Sequence, residues 1–463
     1  MKLFLLCIIA ALVGISFILS KKVKSDSDLL IPRGGIPFLV VGFTMAAGQF
    51  GGSSLIGGVQ LASEYPAGAG FYAGAYALIG GAISCFINLF VGPEVKRRAR
   101  GSVTPSDYMR RRYGRVAFVQ GFHSIAYMMS LTCVLVSQFI SFANIVAAIG
   151  FRYTTGVIIC AVTVCLLVFG SGLLGVAFTD MIQYSFIVIL LPITAYFSIQ
   201  KLGSVGVTVG ELFAQPFFPT ELHFNKFMYI LWPYVFGNMF NYEYFMRYQS
   251  CRGVKEARKA CATAGVLLLI IALPVALLGA IANYCYNGEN TSKVFQEIIT
   301  NDLPPVCGYA MILVVLMAIL TTADSFLASI SAIASKDFYG NLLHKGKNIN
   351  ELPHTRLIAR GAVILACVAA AFLALEFTQI LSIMFTFAPL TTGVFWAPII
   401  IGIFWKKASR RGMICAVAIA AATAILHMTG ILPLFDRLLG VICVSAVSLV
   451  VFSLLFPDPV QKS

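Results

Sequence analysis

Ala46-Ala47-Gly48-Gln49-Phe50-Gly51-Gly52-Ser53-Ser54 is the stretch on which the reading of this chain turns. It sits in the middle of an apolar run over about residues 36–62. A run of that length is enough for a helix to cross a bilayer. Glycine weakens a helix and lets it unwind. Unwound backbone is tolerated at membrane depth only where it lines a cavity. Its freed carbonyls can then hold a cation, and its freed N–H groups can face a solute. A small-residue packing face would have a similar composition, so the surroundings must decide.

The surroundings are apolar. Of 463 residues, 59% are hydrophobic and only 11% are charged, and the mean hydropathy is +0.88. Soluble domains carry roughly 25% charged residues. Lipid must cover much of this surface. Apolar runs place thirteen spans near 3–20, 36–62, 67–92, 116–149, 154–171, 173–199, 227–246, 258–285, 308–334, 357–375, 378–404, 411–430 and 434–456. The first is followed by Lys21-Lys22 and has no small-residue cleavage site, so it is expected to be a retained helix rather than a signal peptide.

The net charge of +14 could suggest nucleic acid. Its distribution gives another reason. With thirteen spans, 27 of the 33 basic residues fall in one set of alternate loops. These include Lys96–Arg100, Arg110–Arg115 and Lys406–Arg411. Such loops are cytoplasmic by the positive-inside rule. The N-terminus is then outside and the C-terminus inside. No nucleic-acid partner is needed, and none of the residues points to an obligatory protein partner. The twelve cysteines form no CxxC pair. Cys285 and Cys307 flank one expected external loop, where they could pair. Asn290-Thr291-Ser292 on that loop matches a glycosylation sequon.

A second interrupted segment follows: Trp232-Pro233-Tyr234-Val235-Phe236-Gly237-Asn238-Met239-Phe240-Asn241. Paired broken helices five spans apart are the mark of inverted-repeat transporters. The expectation is a single all-α membrane domain with a 5+5 inverted-repeat core. Residues 36–199 form the first repeat. Residues 200–405 hold an external loop and the second. Residues 1–35 add an N-terminal helix and cytoplasmic loop, and 406–463 add two C-terminal helices.

Seventeen of the 19 acids fall in loops or near span ends. Asp180 and Asp324 do not. An intramembrane acid costs a few kcal/mol and needs a cation, a proton or a donor. Asp324 lies in Ala318-Ile319-Leu320-Thr321-Thr322-Ala323-Asp324-Ser325. Ala318, Thr321, Thr322 and Ser325 share a helix face, with Asp324 beside Thr321. Hydroxyl, carboxylate and carbonyl oxygens suit a hard cation.

With these residues in view, the chain resembles the sodium:solute symporter family. The similarity rests on Phe43–Gly58, on Thr104-Pro105-Ser106-Asp107-Tyr108 with Arg110-Arg111-Arg112-Tyr113-Gly114, and on Gly175-Val176-Ala177-Phe178-Thr179-Asp180. It also rests on Thr321-Thr322-Ala323-Asp324-Ser325 with Ser335-Lys336-Asp337-Phe338-Tyr339. The resemblance implies a coupling Na+ held by the carbonyls of Ala47, Phe50 and Ala318 and the hydroxyls of Thr321 and Thr322. A second cation site implied by some members would use Asp180, Thr321, Asp324 and Ser325. Asp324 departs from relatives that carry a hydroxyl there, leaving a second cation or a proton open.

The solute is expected at the midplane between the broken helices. By span and depth, the candidates facing it are Gln49, Ser53, Ser54, Tyr72, Tyr76, His123, Tyr127, Trp232, Asn238, Asn241 and Phe387. No lysine or arginine reads as lying near the middle of a span, so a small neutral or zwitterionic organic solute is favoured. The chain therefore reads as a multi-pass plasma-membrane symporter, sodium-coupled and importing by alternating access. A proton-coupled transporter of the same fold and a non-transporting membrane sensor remain the alternatives. An enzyme is disfavoured: the five histidines are scattered, and no GxSxG, HExxH or P-loop occurs.

Overall fold

The computed structural model is all-helical and describes residues 2–21, 25, 29–30, 35–286, 294–376, 387–434 and 436–458. Residues 378–386 of the expected eleventh span, and the Asn290 sequon, lie outside them. The helices, in chain order, are α1 (Lys2–Ser20), α2 (Phe38–Gln49), α3 (Gly52–Ser63), α4 (Tyr76–Arg98), α5 (Pro105–Tyr113), α6 (Ala117–Ala148) and α7 (Tyr153–Ser204). There follow α8 (Val209–Ala214), α9 (Glu221–Gly237), α10 (Tyr242–Ser250), α11 (Val254–Cys285), α12 (Val294–Glu297), α13 (Pro305–Ala332) and α14 (Thr355–Glu376). The last three are α15 (Pro389–Phe404), α16 (Arg410–Met428) and α17 (Arg437–Leu455).

Eight of these segments are long and apolar enough to cross a bilayer singly, and α2 with α3 does so as a bent pair. Each expected span meets at least one helix. α9 and α10 together cover the expected seventh span, but the chain turns between them, so neither is a full crossing by length. Outward faces carry apolar side chains, such as Ile189, Leu365, Phe372 and Val447. A soluble monomer rarely exposes so much apolar surface.

Two breaks shape the core. The first separates α2 from α3, which diverge by 42°. The second lies at Gly172 within α7, with φ +53 and ψ −148. That left-handed conformation favours glycine, and a Cβ there would run into the Leu29 carbonyl. The break coincides with the boundary expected between the fifth and sixth spans.

α11 packs on α2, α3, α4 and α7, while α13 packs on α6 and α7 and touches α2. The longest fully buried runs belong to α10, α11 and α13. The broken pair is thus enclosed by unbroken helices, which can support backbone that has lost its own ladder. Cys285 and Cys307 are both free thiols, and the expected optional bridge is not formed.

Candidate functional site

The break after Gln49 brings polar backbone to the centre of the molecule. Phe50 (φ −108, ψ 77) leaves the helical region, and its N–H donates to the Ala47 carbonyl at 3.2 Å. α3 restarts at Gly52, whose N–H is received by Gln138 Oε1 from α6 at 3.1 Å. A side chain from a neighbouring helix thus replaces a lost ladder bond.

α13 meets this break with its hydroxyl face. Thr322 Oγ1 lies 3.4 Å from the Ala47 carbonyl oxygen and 3.0 Å from that of Ala318. Thr321 Oγ1 donates to the Ala318 carbonyl at 3.0 Å. Ala47, Phe50, Ala318 and Thr321 are all buried, as is Thr322. The five residues expected around a first cation therefore meet where α2 breaks against α13. Carbonyl and hydroxyl oxygens of this kind suit a hard monovalent ion without a carboxylate.

One helical turn away lies a second polar centre. Thr44 of α2 donates a short hydrogen bond to Asp180 Oδ2, and Ser325 of α13 donates to the same oxygen at 3.3 Å. Arg247 of α10 completes the group, which corrects its place in the sequence reading. It is one of the 27 basic residues that the span assignment places in cytoplasmic loops, yet its side chain is 1% exposed. Its Nη2 lies 3.6 Å from Asp180 Oδ2. Nη2 donates to Ser325 Oγ at 2.7 Å and to Thr44 Oγ1 at 2.9 Å. Its Nη1 pairs with Glu243 Oε1 at 2.9 Å, one turn back on α10.

Glu243 is therefore a further buried acid at this centre, beyond the two anticipated there. Asp324, fully buried, has Asp180 and Arg247 as its charged neighbours. Thr321 makes no hydrogen bond to Asp180 among those described; its hydroxyl donates to the Ala318 carbonyl and keeps its lone pairs for a cation on that side. A guanidinium thus stands beside Asp180 and Ser325, in the group expected to hold a second cation.

A cavity of about 170 Å³ opens on the first centre. Gln49, Ser54, Tyr127, Asn238 and Asn241 line it, with Tyr234, Glu243 and Thr322. The amides are chained: Asn241 Nδ2 donates to Asn238 Oδ1 at 3.1 Å, and Asn238 Nδ2 donates to Gln49 Oε1 at 3.2 Å. Asn241 Oδ1 also accepts from the Tyr244 N–H and so caps α10.

Five of the expected solute contacts, Tyr72, Tyr76, His123, Trp232 and Phe387, lie elsewhere. Tyr76 donates to the Phe217 carbonyl at 2.7 Å and packs edge-on against Phe227, in an aromatic cluster that includes Tyr72 and Phe217. His123 bonds Tyr242 through Nδ1 at 3.0 Å. Trp232 lines a smaller cleft with Tyr229 and Pro389. Phe387 does not line the cavity, although its neighbour Ala388 does. The side chain of Ser53 lies outside the described residues. Depth along a span was readable for these residues, but rotation about the helix axis was not.

The other sequence motifs converge at a separate place. Thr104 Oγ1 donates to Asp337 Oδ1 at 2.6 Å, Tyr242 OH donates to Asp337 Oδ2 at 2.7 Å, and Lys336 Nζ lies 3.8 Å from Asp107. Since Tyr242 gives its proton to Asp337, His123 Nδ1 is the donor in their contact. This network ties α5 and α6 to α10 and to the π-helical continuation of α13, Ile333–Leu343.

Residues 32–420 match the sodium:solute symporter family. The high-affinity proline transporter of Bacillus subtilis (strain 168) is 24% identical over 374 residues, covering 76% of this chain and 77% of that protein. The sodium/pantothenate symporter of Haemophilus influenzae is 24% identical over 335 residues, covering 69% and 68%. Among solved structures, a Na+-coupled sialic acid symporter in a substrate-bound outward-open state superposes with a TM-score of 0.81 at 16% identity. It covers 98% of this chain and 97% of that one. Mhp1, a nucleobase–cation symporter, superposes at 0.58 with 14% identity, covering 93% and 97%.

The chain belongs to the sodium:solute symporter family. It is a multi-pass membrane transporter rather than an enzyme, and Na+ is its coupling ion.

Proposed function

We propose that this protein imports a small organic solute across the plasma membrane by alternating access, with Na+ bound where α2 breaks against α13. The carbonyls of Ala47, Phe50 and Ala318 and the hydroxyls of Thr321 and Thr322 hold the ion. The observation that carries this reading is the approach of Thr322 Oγ1 to the Ala47 carbonyl, 3.4 Å across two helices far apart in sequence. An ion there ties the two helices together. The cavity that borders Thr322 then binds solute better, and by linkage solute tightens the ion. Residues 36–199 and 200–405 act as the two repeats that rock about this point, with the N-terminus outside.

The solute occupies the cavity lined by Gln49, Asn238 and Asn241. The relatives named above act on proline, pantothenate and sialic acid, all small organic solutes. A neutral or zwitterionic molecule fits a cavity without a lining lysine, arginine or histidine among the described residues. At the second centre, Arg247 supplies the positive charge that a second cation would bring. This favours one Na+ per cycle, with Asp180, Thr321, Asp324 and Ser325 holding no second ion.

In proteoliposomes, uptake of a transported solute requires inward Na+ and stops when choline replaces it. Thr322→Ala raises the Na+ concentration for half-maximal uptake by about tenfold or more, equivalent to roughly 1.4 kcal/mol of lost coordination. Uptake driven equally well by a proton gradient in choline medium would defeat the reading.

A further inference from the structure

We infer that Glu243 makes this transporter selective for a solute that carries a positively charged nitrogen, with the ammonium group facing the Glu243 carboxylate. The inference rests on the cavity proposed above as the solute site.

Glu243 lies in the first turn of α10, is 3% exposed and lines the cavity. Its position is built into the broken helix. A Cβ on Gly48 would collide with the Glu243 carboxylate, so only glycine at 48 lets that carboxylate stand against the break.

The charges then fail to balance. Arg247 is shared between Glu243 at 2.9 Å and Asp180 at 3.6 Å, and Asp324 lies beside Asp180. Three carboxylates face a single guanidinium. Even with a proton shared between Asp180 and Asp324, Arg247 is the one cationic partner of Glu243 among the described residues, and Glu243 is the carboxylate that lines the cavity. Buried charge without a partner is costly. A cationic group in the cavity removes the deficit, whereas an anionic solute deepens it.

The remaining walls suit an organic ammonium. Tyr127, Tyr234 and Phe326 line the cavity, and aromatic faces attract cations. At the Gln49 side, Oε1 already accepts from Asn238. The Gln49 amide N–H groups have no protein acceptor among the described hydrogen bonds. They are available to a carboxylate or carbonyl at the other end of the solute. An amine-bearing zwitterion meets both ends.

The test uses purified full-length protein in detergent with and without Na+. It is screened by thermal shift against matched pairs: L-alanine with L-lactate, L-proline with tetrahydrofuran-2-carboxylate, and glycine betaine with pantothenate. The expected result is Na+-dependent stabilisation by at least one nitrogen cation and none by its uncharged-nitrogen or oxygen partner. Glu243→Gln then weakens the amine hit by tenfold or more, while stabilisation by Na+ alone persists. Glu243→Asp restores part of the affinity. Persistent Na+ stabilisation also shows that Glu243→Gln is folded.

Three outcomes overturn the inference while sparing the sodium reading: Na+-dependent hits confined to amine-free solutes, no amine-bearing hit, or an unchanged amine affinity in Glu243→Gln. Hits wholly indifferent to Na+ would instead strike the proposed sodium coupling.

Discussion

Arg247 is held from three sides, by Glu243 on its own helix, by Thr44 on α2 and by Ser325 on α13. Removing one partner of a buried ion pair leaves the other charge uncompensated. Arg247→Met should therefore destabilise the protein by about 3–5 kcal/mol, read from denaturant or thermal unfolding in detergent. Adding Asp180→Asn to Arg247→Met should recover part of that loss, because a neutral amide no longer requires a cation. Strictly additive effects would mean that the two side chains do not interact. At this scale the sequence was legible in part. Asp180 and Asp324 stood out because each interrupts an apolar run. Glu243 and Arg247 did not, because they sit at the edge of a span in a polar stretch, Tyr242–Ser250, that reads like a loop. One signal was present: they are four residues apart, the spacing of a helical ion pair.

The broken helices carry the function among the elements. α2 and α3 were foreseen from three glycines within five residues, and their divergence by 42° follows from the same composition. The turn between α9 and α10 was foreseen as an interruption, but its outcome was not. Asn241 caps α10 and turns it inward, so that every residue from Tyr242 to Ser250 is buried. Tertiary contacts with α2, α4 and α13 decide that burial, and no local periodicity encodes it. The kink in α7 gives the sharpest test of an element. Gly172→Ala places a side chain in a left-handed conformation against the Leu29 carbonyl. A loss of more than about 1 kcal/mol in unfolding free energy is expected. Gly203→Ala is the control, since a Cβ there meets nothing within 4 Å, and it should cost little.

For the whole molecule, charge sorts the loops. The proposed topology, N-terminus out and C-terminus in, rests on 26 basic loop residues against six once the buried Arg247 is set aside. The motif network of Thr104, Asp107, Lys336 and Asp337 then lies toward the cytoplasm. Single cysteines introduced into a cysteine-free background at residue 345 and at residue 219 should react with an impermeant maleimide from opposite faces of oriented vesicles. Labelling of both from the same face would reverse or break the assigned topology. Apolar run length made the helices readable, and eight of the thirteen expected spans, with the bent pair of α2 and α3, are long and apolar enough to cross a bilayer among the described residues. The pairing of distant helices was not readable, because nothing in a single sequence states that residue 47 lies against residue 322.

That pairing is the central claim, and equilibrium binding of radioactive sodium to the purified protein tests it most directly. The account predicts saturable binding by the native chain, one ion per molecule, weakened by about tenfold or more in Thr322→Ala and kept in the Ser329→Ala control. Sodium binding of unchanged affinity in Thr322→Ala would contradict it.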